Sequence, residues 1–250
     1  MNKTITEIFN LPSKGVFYED STSQVELTSM TTEQELKRLS HSDLPYFSMC
    51  EILDECICNE IGISSYDMCI GDYQFLLYKL RVVTYGGDYP ITTKCPFCGY
   101  SNQDTLNLDE LPVKEYSKDI EKYYEFDLPK SGSHIRLRMS TPRILDYATQ
   151  QANDHKKKVK NLNFDPLPLY TISGLIDTID GKTPNQLTLS DWVRKLPMAD
   201  TQVILTYADK LNNSIGIDIN LTHTCNLCGY EYNSIFKPDA EFFRPTIDIV

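Results

Sequence analysis

The residue types best suited to chemistry in this chain lie in two near-copies of one motif, Cys95-Pro96-Phe97-Cys98-Gly99-Tyr100 and Cys225-Asn226-Leu227-Cys228-Gly229-Tyr230. Two residues between thiols let both sulfurs of a tight turn face one ion, and the glycine that follows supplies the permissive backbone such a turn needs. Together the pair offers four thiolates, the full shell of one tetrahedral site. No position is left for water, which marks a structural rather than a catalytic centre. The sequence therefore predicts one structural Zn2+ held by Cys95, Cys98, Cys225 and Cys228. Iron in tetrahedral sulfur would use the same donors. His223, two residues before Cys225, is a competing ligand, but it is surplus to four sulfurs.

Other uses of cysteine fit less well. A redox pair belongs at the start of a helix, where the dipole lowers one thiol's pKa, whereas both knuckles sit between strand-like runs. A disulfide framework suits small secreted chains; this one has 250 residues and no basic-apolar-small leader at Met1 to Ile5. Cys50, Cys56, Cys58 and Cys69 fall among apolar residues and read as small buried hydrophobes in helical segments. On a helix Cys56 and Cys58 would point about 200° apart, which argues against a second metal site. No His-Glu-x-x-His pattern and no glycine-rich phosphate loop occurs, and acidic pairs such as Asp109-Glu110 read as solvated surface. There is no candidate active site, and the expectation is a protein that is not an enzyme.

The elements that must position the knuckles can be read from periodicity and punctuation. Residues 1–30 read as an extended arm followed by a strand at Gln24-Val25-Glu26-Leu27. A capping box from Thr32 to Glu35 opens a helix to about Leu39. Asp43-Leu44-Pro45 starts a second helix that stops near Gly62, and a third runs from about Asp72 to Val83 before Gly86-Gly87. After the first knuckle come strand-like runs at Thr105 to Leu108, Glu125 to Leu128 and His134 to Met139. Thr141-Pro142 opens a long helix to Lys160, with threonine as cap and proline in the first turn. Leu169 to Asp180, Leu189 to Leu196 and Met198 to Leu211 read as further helices, and Gly216 to Thr222 as the strand that delivers the second knuckle.

The fold class expected is α+β: mostly helical lobes with a small antiparallel β zinc-ribbon module assembled from two distant knuckles. The divisions are an arm and strand over 1–30, a helical lobe over 31–92, the first knuckle and a β segment over 93–140, a central helical lobe over 141–215, and the second knuckle with an aromatic tail over 216–250. Because 126 residues separate Cys98 from Cys225, the ion would pin distant segments together, and its removal would cost the fold.

Composition narrows the partners. A net charge of -11 disfavours nucleic acid, since phosphate contacts need clustered Lys and Arg. The one basic cluster, Lys156 to Lys158 with Lys160, ends a helix, where positive charge complements the dipole. No apolar run approaches the roughly 20 residues that span a bilayer, so no membrane insertion is expected. Sixteen tyrosines, and a tail with Phe236, Phe242 and Phe243 beside Pro238 and Pro245, suit either core packing or docking onto a neighbour.

One resemblance runs along nearly the whole chain. Leu11-Pro12-Ser13-Lys14-Gly15, Ser29-Met30-Thr31-Thr32-Glu33, Ile70-Gly71-Asp72 with Phe75-Leu76-Leu77 and Arg81, Thr84-Tyr85-Gly86, Cys95-Pro96-Phe97-Cys98-Gly99 and Phe242-Phe243-Arg244-Pro245 follow in that order. In this the sequence resembles the baseplate hub subunits of T4-like contractile-tailed phages, a group that includes the central hub subunit and the hub assembly catalyst. The resemblance implies a non-enzymatic structural component of the virion tail baseplate, present in the host cytoplasm during assembly. It also implies docking to other hub, spike and tape-measure proteins and a symmetric homo-oligomer within the hub. A non-virion assembly factor is the alternative. A zinc-ribbon adaptor in transcription or replication is a further one, against which the charge counts.

Overall fold

The computed structural model describes residues 6–19, 23–159, 162–236, 238 and 242–243. Lys160 and the tail from Arg244 onward, both part of the sequence reading, lie outside these residues.

The first described residues form a hairpin where the sequence reads as an extended arm. Strand β1 (Thr6–Asn10) pairs antiparallel with β2 (Gln24–Thr28), and Leu11, Val25 and Leu27 are buried beneath it. The lysine-glycine turn that reads as arm carries left-handed backbone at Lys14 and Gly15, which reverses the chain. Helix α1 (Thr32–Leu39) follows. Its capping box sits one residue earlier than the sequence pattern suggests, with Thr31 as cap and Gln34 returning the bond. Helix α2 (Pro45–Cys56) ends before Cys58, because Ile57 and Cys58 turn extended to bridge β2. Cys58 is consequently exposed, whereas Cys50, Cys56 and Cys69 are the buried apolar thiols expected.

Helix α3 (Ile70–Tyr85) is buried on nearly every face, and Gly86, at φ 88°, ends it. Its Leu76 and Leu80, with Leu53 of α2, are almost fully removed from water, each contributing roughly 1.5–3 kcal/mol of transfer free energy. This first core also takes Phe236, Phe242 and Phe243, so the described part of the aromatic tail folds onto its own chain. Phe242 packs on Tyr78 and Tyr89, and Arg81, buried in α3, donates from Nε to the Phe242 carbonyl at 2.8 Å.

Next come the hairpin β3 (Asp88–Lys94) and β4 (Ser101–Asn107), then short β5 (Val113–Lys114). A second core is built on the sheet of β6 (Glu125–Asp127), β7 (His134–Leu137) and β8 (Ile176–Ile179). Covering it are α5 (Leu167–Leu175), α6 (Gln186–Lys195) and α7 (Met198–Asn212), and Ile135, Ile176, Ile204 and Leu211 are fully buried. Here the sequence reading needs correction. The apolar run from Leu169 to Asp180 is not one helix: at Ile176 it becomes β8, whose Ile-Asp-Thr-Ile pairs with β7. Short apolar runs do not distinguish helix from strand, and the free edge of β7 decides this one.

Helix α4 (Pro142–Lys158) opens as predicted, with Thr141 capping Ile144 and Pro142 at its first position, and packs against both α2 and α5. Its buried Asp146 accepts from the backbone N–H groups of Tyr46 and Phe47 and from the Tyr66 hydroxyl. The first turn of α2 has no cap of its own, so a carboxylate from a distant helix satisfies its free donors.

The predicted strand at Gly216 is broken into β9 (Gly216–Ile217) and β10 (Asn220–Thr224), and β10 pairs with β11 (Glu231–Ile235). β9 pairs with β5. The long insertion therefore leaves and re-enters the knuckle region through neighbouring strands, clasped further by the Asp218 N–H on the Pro112 carbonyl. Close approach is possible there because Gly71 faces Gly216: a Cβ on Gly71 would stand 2.5 Å from the Ile215 carbonyl oxygen.

Candidate metal centre

The two knuckles are the turns of two hairpins, β3–β4 and β10–β11, and each closes in the same way. The Cys95 N–H donates to the Tyr100 carbonyl at 2.8 Å and Gly99 N–H to the Cys95 carbonyl at 2.9 Å; Cys225 with Tyr230 and Gly229 repeats the pattern at 2.9 Å for both bonds. Gly99 and Gly229 take left-handed backbone, φ 74° and 71°, which explains a glycine at that place in each copy.

Face to face, the hairpins bring four sulfurs within 4.8 Å of one another, and among the described residues this is the cluster able to hold a metal ion. All eight cysteines are free thiols. The Cys95 and Cys228 sulfurs are 3.8 Å apart and those of Cys98 and Cys225 3.6 Å. Sulfurs at the corners of a tetrahedron around a zinc at about 2.3 Å would be separated by about 3.8 Å, so the cluster fits such an ion. Cys95 and Cys225 are buried and Cys98 and Cys228 exposed, so the cluster sits at the edge of the fold.

Electrostatics favour a cation. Burial works against a thiolate at Cys225, but the N–H groups of Cys228 and Leu227 and the neighbouring Cys228 and Cys98 thiols outweigh it and hold Cys225 down at about 6. At Cys228 the Tyr230 N–H lowers the pKa, yet burial and the Cys98, Cys225 and Cys95 sulfurs push it up to about 12. Four sulfurs this close do not ionise together without a compensating charge.

His223 is not part of the cluster. Its Nε2 lies 2.7 Å from the Ser234 hydroxyl, and its ring packs on Tyr232. Sequence reasoning missed the polar pair beneath the sulfurs. Buried Asn102 donates from Nδ2 to the Tyr232 hydroxyl at 3.0 Å and accepts from the Asn226 N–H at 2.8 Å, and Tyr232 also meets the Thr93 hydroxyl at 2.7 Å. Asn102 follows Cys95 by seven residues, as Tyr232 follows Cys225, so the pair occupies equivalent positions in the two hairpins. That repeat was the available signal. Phe97 of the first turn stacks on Tyr230 at 5.5 Å and remains 74% exposed, and Leu227 of the second turn is exposed as well, so each turn ends in an apolar tip.

The polar clasp and the sulfur cluster thus lie together at the junction of distant segments, and the class of protein comes from comparison with known families. The family of the T4 bacteriophage base plate protein matches residues 4–244, and the chain belongs to that family. Membership makes it a structural baseplate protein of a phage tail, working among other baseplate proteins. Neither a curated protein nor a solved structure matches it. Among the described residues no helix is long and apolar enough to cross a membrane.

Proposed function

We propose that the chain is a structural component of the baseplate hub of a contractile phage tail, stabilised by one zinc ion and docking to other hub and tape-measure proteins. Cys95, Cys98, Cys225 and Cys228 would hold the ion, which supplies a closed shell and no reactive position. The single observation that carries this reading is the meeting of four sulfurs from segments 126 residues apart, in a chain of the baseplate family.

The fold narrows what the ion has to do. Both cores have their own packing, and the β5–β9 pair with the Asn102–Tyr232 bond already spans the insertion. The ion's task is then to fix one hairpin against the other and hold the Phe97 tip in place. The apolar tip and the half-exposed tyrosines offer docking area of the kind enriched at interfaces.

Two measurements test the reading. Elemental analysis of purified protein should give one zinc per chain, and iron or no metal would refute the metal assignment. Mass spectrometry of finished virions should find the chain. Its presence only in assembly intermediates would make it an assembly factor instead.

A further inference from the structure

Where the turn of the first hairpin meets β6 and β7 lies a cavity of about 490 Å³, lined by residues apart from the sulfur cluster. Three half-buried rings wall it: Phe17 from the turn between β1 and β2, Tyr116 from the segment after β5, and Tyr124 just before β6. Phe17 and Tyr116 stand at 85° with centroids 5.6 Å apart, so the two rings make a corner. The Tyr116 N–H donates to the Pro12 carbonyl at 2.8 Å, which ties this corner to the hairpin turn.

Two exposed carboxylates, Glu121 and Glu125, border the rings. Glu125 has cationic neighbours, Arg136 at 3.6 Å and His134 at 3.8 Å. Arg136 is divided between Glu125 and Asp177, the latter at 3.7 Å, so one guanidinium faces two carboxylates. Glu121 has no cationic partner among the described residues. Its Oε1 accepts from the Tyr116 hydroxyl at 3.0 Å, which holds the carboxylate beside the rings and leaves its other oxygen open. The excess here is negative charge against aromatic faces, and a cation is attracted by both.

We propose that this corner receives an arginine side chain of another protein, its guanidinium lying against the rings and donating to Glu121. Arginine is favoured over lysine because a planar guanidinium stacks on a ring while its donors reach a carboxylate at the edge. A different, basic protein is favoured over a second copy because chains of net charge -11 repel one another. The inference rests on the docking reading above for the existence of a partner, but its test needs no baseplate protein.

The experiment titrates the full chain with acetyl-Gly-Arg-Gly-amide, following the ring NMR signals of Phe17, Tyr116 and Tyr124. The arginine peptide should shift them at millimolar concentration. Its neutral citrulline counterpart should bind about tenfold more weakly, equivalent to about 1.4 kcal/mol. The lysine counterpart should bind about threefold more weakly. Glu121→Gln should remove the preference for arginine over citrulline. Arg136→Gln, which takes away the resident cation, should leave binding at least as tight, and Glu51→Gln, on α2, should leave it unchanged. The proposal is overturned if the arginine peptide moves none of the rings, if citrulline or lysine binds as well, if Glu121→Gln keeps the preference, or if Arg136→Gln weakens binding. Sedimentation equilibrium covers the other occupant: a dimer that Glu121→Gln dissolves would make it a second copy and overturn the assignment to a different protein. Failure would remove this corner and leave docking through the Phe97 tip untouched, since incorporation into virions is measured separately.

Discussion

Asn102→Ala should loosen the junction of the two hairpins without touching a sulfur. The substitution removes two hydrogen bonds, to the Tyr232 hydroxyl and from the Asn226 N–H. Each is worth about 1 kcal/mol net. The Tyr232 hydroxyl keeps Thr93, and Asn226 belongs to an exposed turn where water can reach it, so neither group bears the full cost of an unsatisfied buried donor. The expected loss is therefore about 2 kcal/mol. Urea unfolding followed by circular dichroism measures it. A double-mutant cycle with Tyr232→Phe isolates the shared bond, with an expected coupling of about 0.5–1.5 kcal/mol. The same variant should release bound metal faster to a chromophoric chelator, because the Asn226 N–H anchors the second knuckle to the first hairpin. A loss below about 0.5 kcal/mol with no coupling would falsify the clasp, since that is the range of an ordinary surface substitution.

Cys225→Ser should lower metal content to background by elemental analysis, whereas Cys58→Ser, at an exposed thiol outside the cluster, should leave it unchanged. Chelation of the bound ion should preserve the helical circular dichroism of the two cores and abolish amide protection in the knuckle turns; loss of all helical signal would mean that the ion holds the whole fold. Gly71→Ala should be severely destabilising, because its Cβ would meet backbone at 2.5 Å that cannot move without parting α3 from β9, while Gly132→Ala, in open space at φ 71°, should cost only about 1 kcal/mol; thermal melts compare the two. Burial opposes ionisation of Asp200, but the N–H groups of Lys130 and Ser131 outweigh it and hold its carboxyl below the usual range. A depressed folded pKa means that its contribution is complete above the unfolded value and is lost as pH falls through the folded one. Asp200→Asn should accordingly flatten the acid side of the stability profile, and an unchanged acid limb would sink that assignment.

Several elements were legible because their signals are local. Thr141-Pro142 specified the start of α4 through a side-chain cap and a fixed φ, and Gly86 marked the end of α3. The four ligand candidates were legible because spacing within a turn determines which sulfurs share a face, and the copied glycine carried the backbone requirement with it. Where the sequence misled, the deciding contact was distant. Ile176 to Ile179 follows helix-compatible residues, and only the waiting edge of β7 makes it a strand. The first residues look like an arm until the buried Asp72 of α3 accepts from the Ser13 N–H and the Tyr18 hydroxyl and draws the turn inward. Cys58 reads as helical core, but its N–H pairs with the Glu26 carbonyl of β2 and its side chain is left in solvent.

By itself, then, the sequence determined which four cysteines cluster, the α+β class and, through motifs in order, the baseplate family, because these depend on residue type and short spacing. Only the tertiary structure decided how the distant sulfurs meet. Side chains seven residues beyond each first cysteine bond across the junction, β5 and β9 return the insertion to its starting point, and two facing glycines let backbone pass where any side chain would collide. Such contacts depend on three-dimensional proximity between segments more than a hundred residues apart; the shared offset marks Asn102 and Tyr232 as equivalent, but only the fold shows that they meet.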